Sequence, residues 1–537
     1  MIIDGYRTLS KARSDCVNGV KSMGKSNDVL LELEGYFWWY GETIPEGQNA
    51  PPSALPGVLT ISEDGLGKLA VTGSLMRSEP IKLDNAARLA AENNLDTLKQ
   101  RTIAGWVEKG FHRVYLRNVV YGRAIRGAGG RETEIFRAGF SLVGRSTLPQ
   151  DKSDLTFSRL SIDLSGLEAW RWNDAVTVEP ENADEAGRSQ TVRWRVNDPQ
   201  YSLKEAKLRL RTDVHCDRFE GMLIREVSFR QYDWLDYIPD SPTFAEVLKQ
   251  EFGHIEEFLS LLTGTYYYLD WPQISNEDGD KFESFTLYFQ RFREKMEPLE
   301  VTQLWTTFPQ IEKQFGALYE KARGMRVTYG PGFYLRFGAL RNTSMYIEHG
   351  FVNLIWGIES LHRIAHPDLK GSTSASEMVE GFRRIIEVQK TTLNSDERRW
   401  LDRATKLASE PNLKDRIEDL FSRLPWRIES SSLATFADEC AHRRNDLSHH
   451  GGPRSNGGHA YETFLRQLMT LSGALSILYH AALLQKIGVD EQTLQLPLER
   501  NPVRSRLRPL LAQAELNLPP LDETAKQVPP TAPPTEI

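Results

Sequence analysis

Three cysteines in 537 residues, Cys16, Cys216 and Cys440, are too few and too scattered for a disulfide framework, and with no CxxC among them a cysteine-based zinc site lacks support as well. A reducing, cytoplasmic setting is the expectation. No run of about 18 apolar residues occurs, and the first thirty residues lack the apolar core of a signal peptide, so neither membrane insertion nor export is expected. GxxxxGK[ST], a GxGxxG after a strand, and HExxH are all missing. P-loop nucleotide hydrolysis, dinucleotide chemistry and zinc proteolysis therefore lack their physical parts. Positive charge is in deficit too: 66 Lys and Arg against 73 Asp and Glu leave a net charge of −7. Such a chain does not hold a polyanion by bulk attraction, and any nucleic-acid site has to be local.

What is present divides by pattern into two to four domains' worth of chain. Residues 1–240 read as an antiparallel β-domain, because aromatic and β-branched runs (LELEGYFWWYG, GVLTIS, KLAVTGSL, HRVYLRNVVYG, TEIFRAGFSLVG, QTVRWRV, MLIREVSFRQYDW) recur between turn signals. One helix is expected to interrupt it at NAARLAAENNLDTLKQRTIAGWVEK, burying Leu89, Ala90, Leu95, Leu98 and Ile103. The cluster Tyr36 to Tyr40 could stack on bases or sugars, but large aromatics more often fill cores. Residues 241–345 read as a helical connector opened by a Ser-Pro and a Thr243-x-x-Glu246 box.

Residues 346–490 read as an all-α bundle with two apolar seams. The first runs Ile347, Phe351, Leu354, Ile358, Leu361 and Ala365; the second runs Phe464, Leu468, Leu471, Leu475, Leu478 and Ala482, and is assigned to the core ahead of a dimer contact. His362 and His366 share an i, i+4 face with no third ligand nearby and read as a helix-surface pair. Residues 491–537 read as a basic run, ERNPVRSRLRP, followed by a Pro-rich tail that is disordered at its end.

Within the bundle, Arg444-Asn445-Asp446-Leu447-Ser448-His449-His450 closes a helix whose apolar stripe is Leu433, Phe436, Ala437, Cys440 and Leu447. Arg444 falls on that stripe, where a guanidinium needs an anionic partner, and a phosphate would serve. A similar spacing recurs at Arg209 to His215 and Arg454 to His459, in a strand-like run and a glycine-rich loop. Only the copy at Arg444 joins the spacing to a helix, a following Asn and a Gly451-Gly452-Pro453 stop. Two readings fit this pattern alone: phosphate chemistry, and a helix end finished with basic residues for the macrodipole. On an ideal helix Arg444 and His449 project roughly 140° apart, at about 100° per residue. Convergence on one phosphate then requires a local break or a second copy of the chain.

The Arg-polar-x-x-x-His signature at the end of a long helix resembles that of a HEPN ribonuclease domain. The N-terminal half, with LELEGYFWWYG, FSLVG at 140–144 and LSIDLSGLEAWRW at 160–172, is similar to the N-terminal domain of ApeA-like anti-phage abortive-infection proteins, which carry a C-terminal HEPN domain. The resemblance spans most of residues 30–485 and implies an α+β multidomain fold: an N-terminal antiparallel β-domain, a helical connector and a C-terminal all-α HEPN-like helical bundle. It also implies a metal-independent endoribonuclease of the bacterial cytoplasm, with two HEPN domains sharing one cleft. Arg444 and His449 match the motif's two invariant residue types and Asn445 its polar neighbour. His450 competes with His449 for the role of acting imidazole, since both gap lengths satisfy the motif; His449 is favoured. Asp446, and Glu359 one step off the first seam, are candidate supporting residues. No cofactor or metal is expected. The partners implied are RNA, with tRNA a candidate, a second copy of the chain, and a phage-derived activator sensed by the β-domain. The alternative is a non-catalytic HEPN-fold dimer that binds RNA or senses a ligand.

Overall fold

The computed structural model describes residues 29–76, 102–126, 132–146, 155–173, 175–180, 190–220, 225–278, 281–292, 296–341, 345–369, 373–389, 392–454, 458–499 and 503–519. The chain divides into two compact units, residues 1–154 with 277–293 and residues 155–276 with 294–537.

In the first unit the strand ladders are antiparallel around β1 (Val29–Trp39). On one side lie β2 (Leu55–Ser62), β3 (Gly67–Thr72), β7 (Glu132–Ala138) and β6 (Val120–Arg126). On the other lie β4 (Ile103–Val107), β5 (His112–Arg117), β8 (Phe140–Ser146) and the strand Lys281–Phe289. Phe37, Trp38 and Trp39 of the aromatic cluster are buried, and the Trp39 indole N–H donates to the Leu75 carbonyl at 2.9 Å. These three are core, while Tyr36 is exposed and Tyr40 half-buried. Gly105 opposite is glycine for cause, since a Cβ there would lie 2.6 Å from the Phe37 ring.

The helix expected at residues 85–109 meets a correction where it can be seen. Ile103–Val107 is a strand paired with both β1 and β5, so ladder hydrogen bonds and burial of Ile103 override local helix propensity. The earlier part of that segment lies outside the described residues.

The second unit begins with a sheet in the order Gln200–Ser202, Ala206–Glu220, Arg225–Pro239, Arg159–Asp163, Gln273–Asp278. The helices follow the chain: α1 (Glu168–Arg171), α2 (Ala245–Thr263), α3 (Phe308–Ile311), α4 (Phe315–Tyr329), α5 (Pro331–Arg341), α6 (Ile347–Ala365), α7 (Thr373–Val388), α8 (Ser395–Ser409), α9 (Leu413–Ser422), α10 (Ser430–His450), α11 (Gly458–Ile487), α12 (Glu491–Glu499) and α13 (Val503–Gln513). Residues 241–345 are therefore not wholly helical: Gln273–Asp278 and Lys281–Phe289 are strands, and in the latter Phe285, Leu287 and Phe289 alternate into the core. Nor does the Thr243 box form, because Thr243 and Phe244 pair with Phe157 and Thr156 and helix α2 starts after them.

The second seam is buried as read, from Phe464 to Ala482 on α11, and the first is buried from Phe351 to Leu361 on α6, with its ends Ile347 and Ala365 only partly covered. Residues 460–487 have the length and apolarity of a membrane span, yet 67% of that window is buried inside the fold. Their apolar surface is already spent on the bundle. The region expected as a tail carries α12 and α13, which bury Leu494, Leu498, Leu507 and Leu511, and Asn517 binds Glu429 ahead of α10. The Pro-rich end, residues 520–537, lies outside the described residues.

Candidate active site

Helix α10 is fixed at both ends. At its start the Asn517 amide donates to the Glu429 carboxylate at 2.8 Å and Ser432 returns a hydrogen bond to the Glu429 carbonyl. At its end Gly451 adopts φ 68°, a left-handed conformation cheap only for glycine, and its N–H closes on the Leu447 carbonyl. Between them Leu433, Phe436, Ala437 and Cys440 are buried, with the helix packed on α9, α6 and α11. Burial pushes the Cys440 thiol well above its ordinary range, which makes it a core residue and not a nucleophile.

The helix runs unbroken through His450. The angular divergence of Arg444 and His449 is therefore retained, and the local break that would bring them together in one chain is absent. Arg444 is half-buried: its Nε is sealed from solvent without a partner, and its Nη1 donates to Asn445 Oδ1 at 3.2 Å. Among the described residues no carboxylate pairs with it. His449 and His450 are exposed. The site thus presents a guanidinium lacking a counter-charge and two open imidazoles on one helix end.

Its neighbours are arranged differently. Asp446 is buried and held by Arg443 Nη1 at 3.0 Å and Arg454 Nε at 2.8 Å, and Arg443 also binds Glu439 at 2.6 Å. Asp446 pins the chain after α10 back onto the helix, so Arg454, read from sequence as an inert look-alike, is structural. His459 begins α11 and does not sit in a loop. The other look-alike behaves as read: Arg209 lies on a strand and binds the buried Asp236 at 2.6 Å. Of the two roles open to Glu359, an approach to the motif or a salt bridge to a neighbouring arginine, the structure shows the second: Arg363 binds it at 2.9 Å, one turn along α6.

The HRIAH pair is not a surface feature. His362 is fully buried, with Nε2 3.1 Å from Asp419 Oδ2 and Nδ1 3.4 Å from Arg416 Nη1. Burial holds its pKa below the ordinary value, only partly offset by Asp419. The residues that complete this cluster lie on α9, more than fifty positions away, beyond the reach of a local pattern.

A β-rich region followed by a helical region with this helix end defines an α+β protein of the HEPN type. Residues 32–321 match the family described as ApeA N-terminal domain 1, and residues 352–493 match Apea-like HEPN. The first match alone covers more than half of the chain, which belongs to the ApeA-like family and is a defence protein of the HEPN nuclease type. No curated protein and no solved structure matches it.

Proposed function

We propose that the chain is a metal-independent endoribonuclease that acts in anti-phage abortive infection, cleaving cellular RNA in a cleft completed by a second copy. The observation that carries this is Arg444: a guanidinium with a sealed Nε and, among the described residues, no carboxylate, while Arg443 on the same helix and Arg454 just after it both have one. An RNA phosphate supplies the missing charge.

In the reaction His449 takes the proton of a ribose 2′-OH, and the 2′-oxygen attacks the adjacent phosphorus. The P–O5′ bond breaks, and the 5′-oxygen leaves with a proton from an imidazolium, that of the second copy or of His450. Arg444 bears on the non-bridging oxygens, whose charge grows in the pentacoordinate transition state. Asn445 orients Arg444 through the 3.2 Å hydrogen bond. Products are a 2′,3′-cyclic phosphate and a 5′-hydroxyl, and DNA, lacking the nucleophile, is spared. The β-rich region is assigned the restraint of this activity and the sensing of a phage component, with tRNA a candidate substrate.

Incubation with total RNA in EDTA, followed by end-group analysis, tests the reading. Cyclic-phosphate ends that depend on His449 are expected. Binding without new ends would convert the site to a phosphate-recognition site in a non-catalytic dimer.

A further inference from the structure

The segment Glu168-Ala169-Trp170-Arg171-Trp172 sends its two tryptophans in opposite directions. Trp170 is fully buried, edge-on to Phe308 at 5.7 Å. Trp172 is 56% exposed and, among the described residues, has no hydrogen bond or ring partner beyond its own backbone N–H to the Glu168 carbonyl. Its backbone sits at φ 49°, ψ 45°, a left-handed conformation that a bulky side chain adopts only when its surroundings impose it. Beside it lies a cavity of about 470 Å³, within the usual range of small-ligand sites, lined by Leu164, Ser165, Glu168, Trp172, Asn173, Gln231, Tyr232, Asp233 and others.

The wall is already built. Asp163 accepts from the Ser165 N–H at 2.9 Å and hydroxyl at 2.6 Å, Tyr267 donates to the Ser165 carbonyl at 3.0 Å, and the Leu299 N–H donates to the Gly166 carbonyl at 2.9 Å. No rearrangement is needed to shape the site.

Most of its donors are engaged. Ser165 donates to Asp163, Asn173 to Thr212, and Gln231 to Asp233 and the Asn173 carbonyl, which leaves the Trp172 indole N–H and the second Asn173 amide hydrogen open. Acceptors remain: Glu168 uses only Oε1, on the Gly166 N–H, and the amide oxygen of Asn173 is unengaged. Asp233 is buried in the wall, where it accepts from Thr212 and Gln231 and pairs with the buried Arg171 at 4.0 Å, so its charge is met within the fold. The described lining residues include no Lys, Arg or His, but they do include the exposed carboxylate of Glu168 and the rings of Trp172 and Tyr232. A phosphate or other anion is repelled; a cation gains both Coulomb attraction and the face of an indole.

We infer that this cavity binds a cation of the guanidinium or alkylammonium class, seated between the Trp172 indole and the carboxylate of Glu168. The ligand is donor-rich and flat or slender enough to lie along the indole. It is independent of the RNA chemistry at Arg444.

Calorimetric titration of the full chain with agmatine tests this. Saturable binding tighter than about 1 mM is expected. Glu168→Gln keeps the Oε1 acceptor for Gly166, and Trp172→Gly suits the local φ, so both variants should melt as the parent does. Each should bind agmatine about tenfold more weakly. Equal binding in both variants, or no saturable binding of agmatine, overturns the site. Adenosine binding that is indifferent to Glu168→Gln overturns the charge assignment. A capped Gly-Arg-Gly peptide distinguishes the sources: binding like agmatine supports the site as a receptor for a protein side chain, and exclusion beside agmatine binding supports it as a site for a free small amine.

Discussion

Two arginine–histidine neighbourhoods share the helical region and are completed in opposite ways. Around His362 each charge meets its opposite within the chain: Asp419 faces the imidazole at 3.1 Å and is gripped by Arg423 at 2.7 Å, while Arg416 reaches Glu410 at 3.5 Å. Around His449 the imidazoles are open and Arg444 has an amide oxygen in place of a carboxylate. The same residue types serve the fold in one place and, among the described residues, stay without a counter-charge in the other. What separates them is the counter-charge.

The contrast is broken most directly at the motif. Arg444→Ala and His449→Ala should each lower RNA cleavage by about 10²- to 10⁴-fold while the chain stays folded, with Arg444→Lys as the charge-retaining control. Cleavage rates measured beside thermal unfolding decide it. A loss below tenfold at His449 with a large one at His450 reassigns the acting imidazole, and retained cleavage in both folded variants makes the motif a helix cap.

The reverse experiment targets the satisfied cluster. Asp419→Ala strands the buried Nε2 of His362 and should cost about 1–3 kcal/mol of stability, read by denaturant unfolding, with cleavage falling only as the folded fraction falls. A selective loss of cleavage in a fully folded protein would give this cluster a role in the chemistry.

Acidification sharpens the comparison. Burial depresses the pKa of His362 and, more strongly, of His480, whose ring nitrogens lack a full hydrogen bond. Arg336 and Arg506 near His480 push the same way, and the Leu261 backbone offsets part of it. Because the unfolded histidines titrate near 6.5 and the folded ones lower, stability is intact above about pH 7 and declines as pH falls through that value, by at most about 1.4 kcal/mol per unit for each group. His480→Phe, which keeps a ring against Trp305, should flatten the fall in melting temperature between pH 7 and 5. An unchanged slope would place the proton uptake elsewhere.

The smallest effect belongs to Arg454→Ala. That arginine is largely exposed, so losing its bond to Asp446 should cost about 0.2–1 kcal/mol, measured by unfolding, with cleavage near the parent's. A loss as deep as that of Arg444→Ala would move it from anchor to participant.

Residue spacing by itself determined the elements whose burial repeats along the chain. The stripe from Leu433 to Cys440 and the seams of α6 and α11 follow the helical period over several turns, and β1 with its neighbours carries its apolar and aromatic residues in short runs between turns. The same spacing set Arg444 and His449 on diverging faces of one helix, and the unbroken helix keeps them so. Short or interrupted signals misled. Ile103 followed a helical run into a strand, because two ladder partners outweigh propensity, and the paired leucines of α12 and α13, each helix holding a proline, gave too brief a period to be recognised. Only the tertiary structure decided which charges are neutralised: Arg454 returns to Asp446 eight residues back, and His362 finds Asp419 fifty-seven residues on. The cavity at Trp172 likewise joins residues 164–173, 231–233 and 301. Burial and counter-charge are properties of distance in space, and spacing along the chain specifies that distance only within one helix or strand.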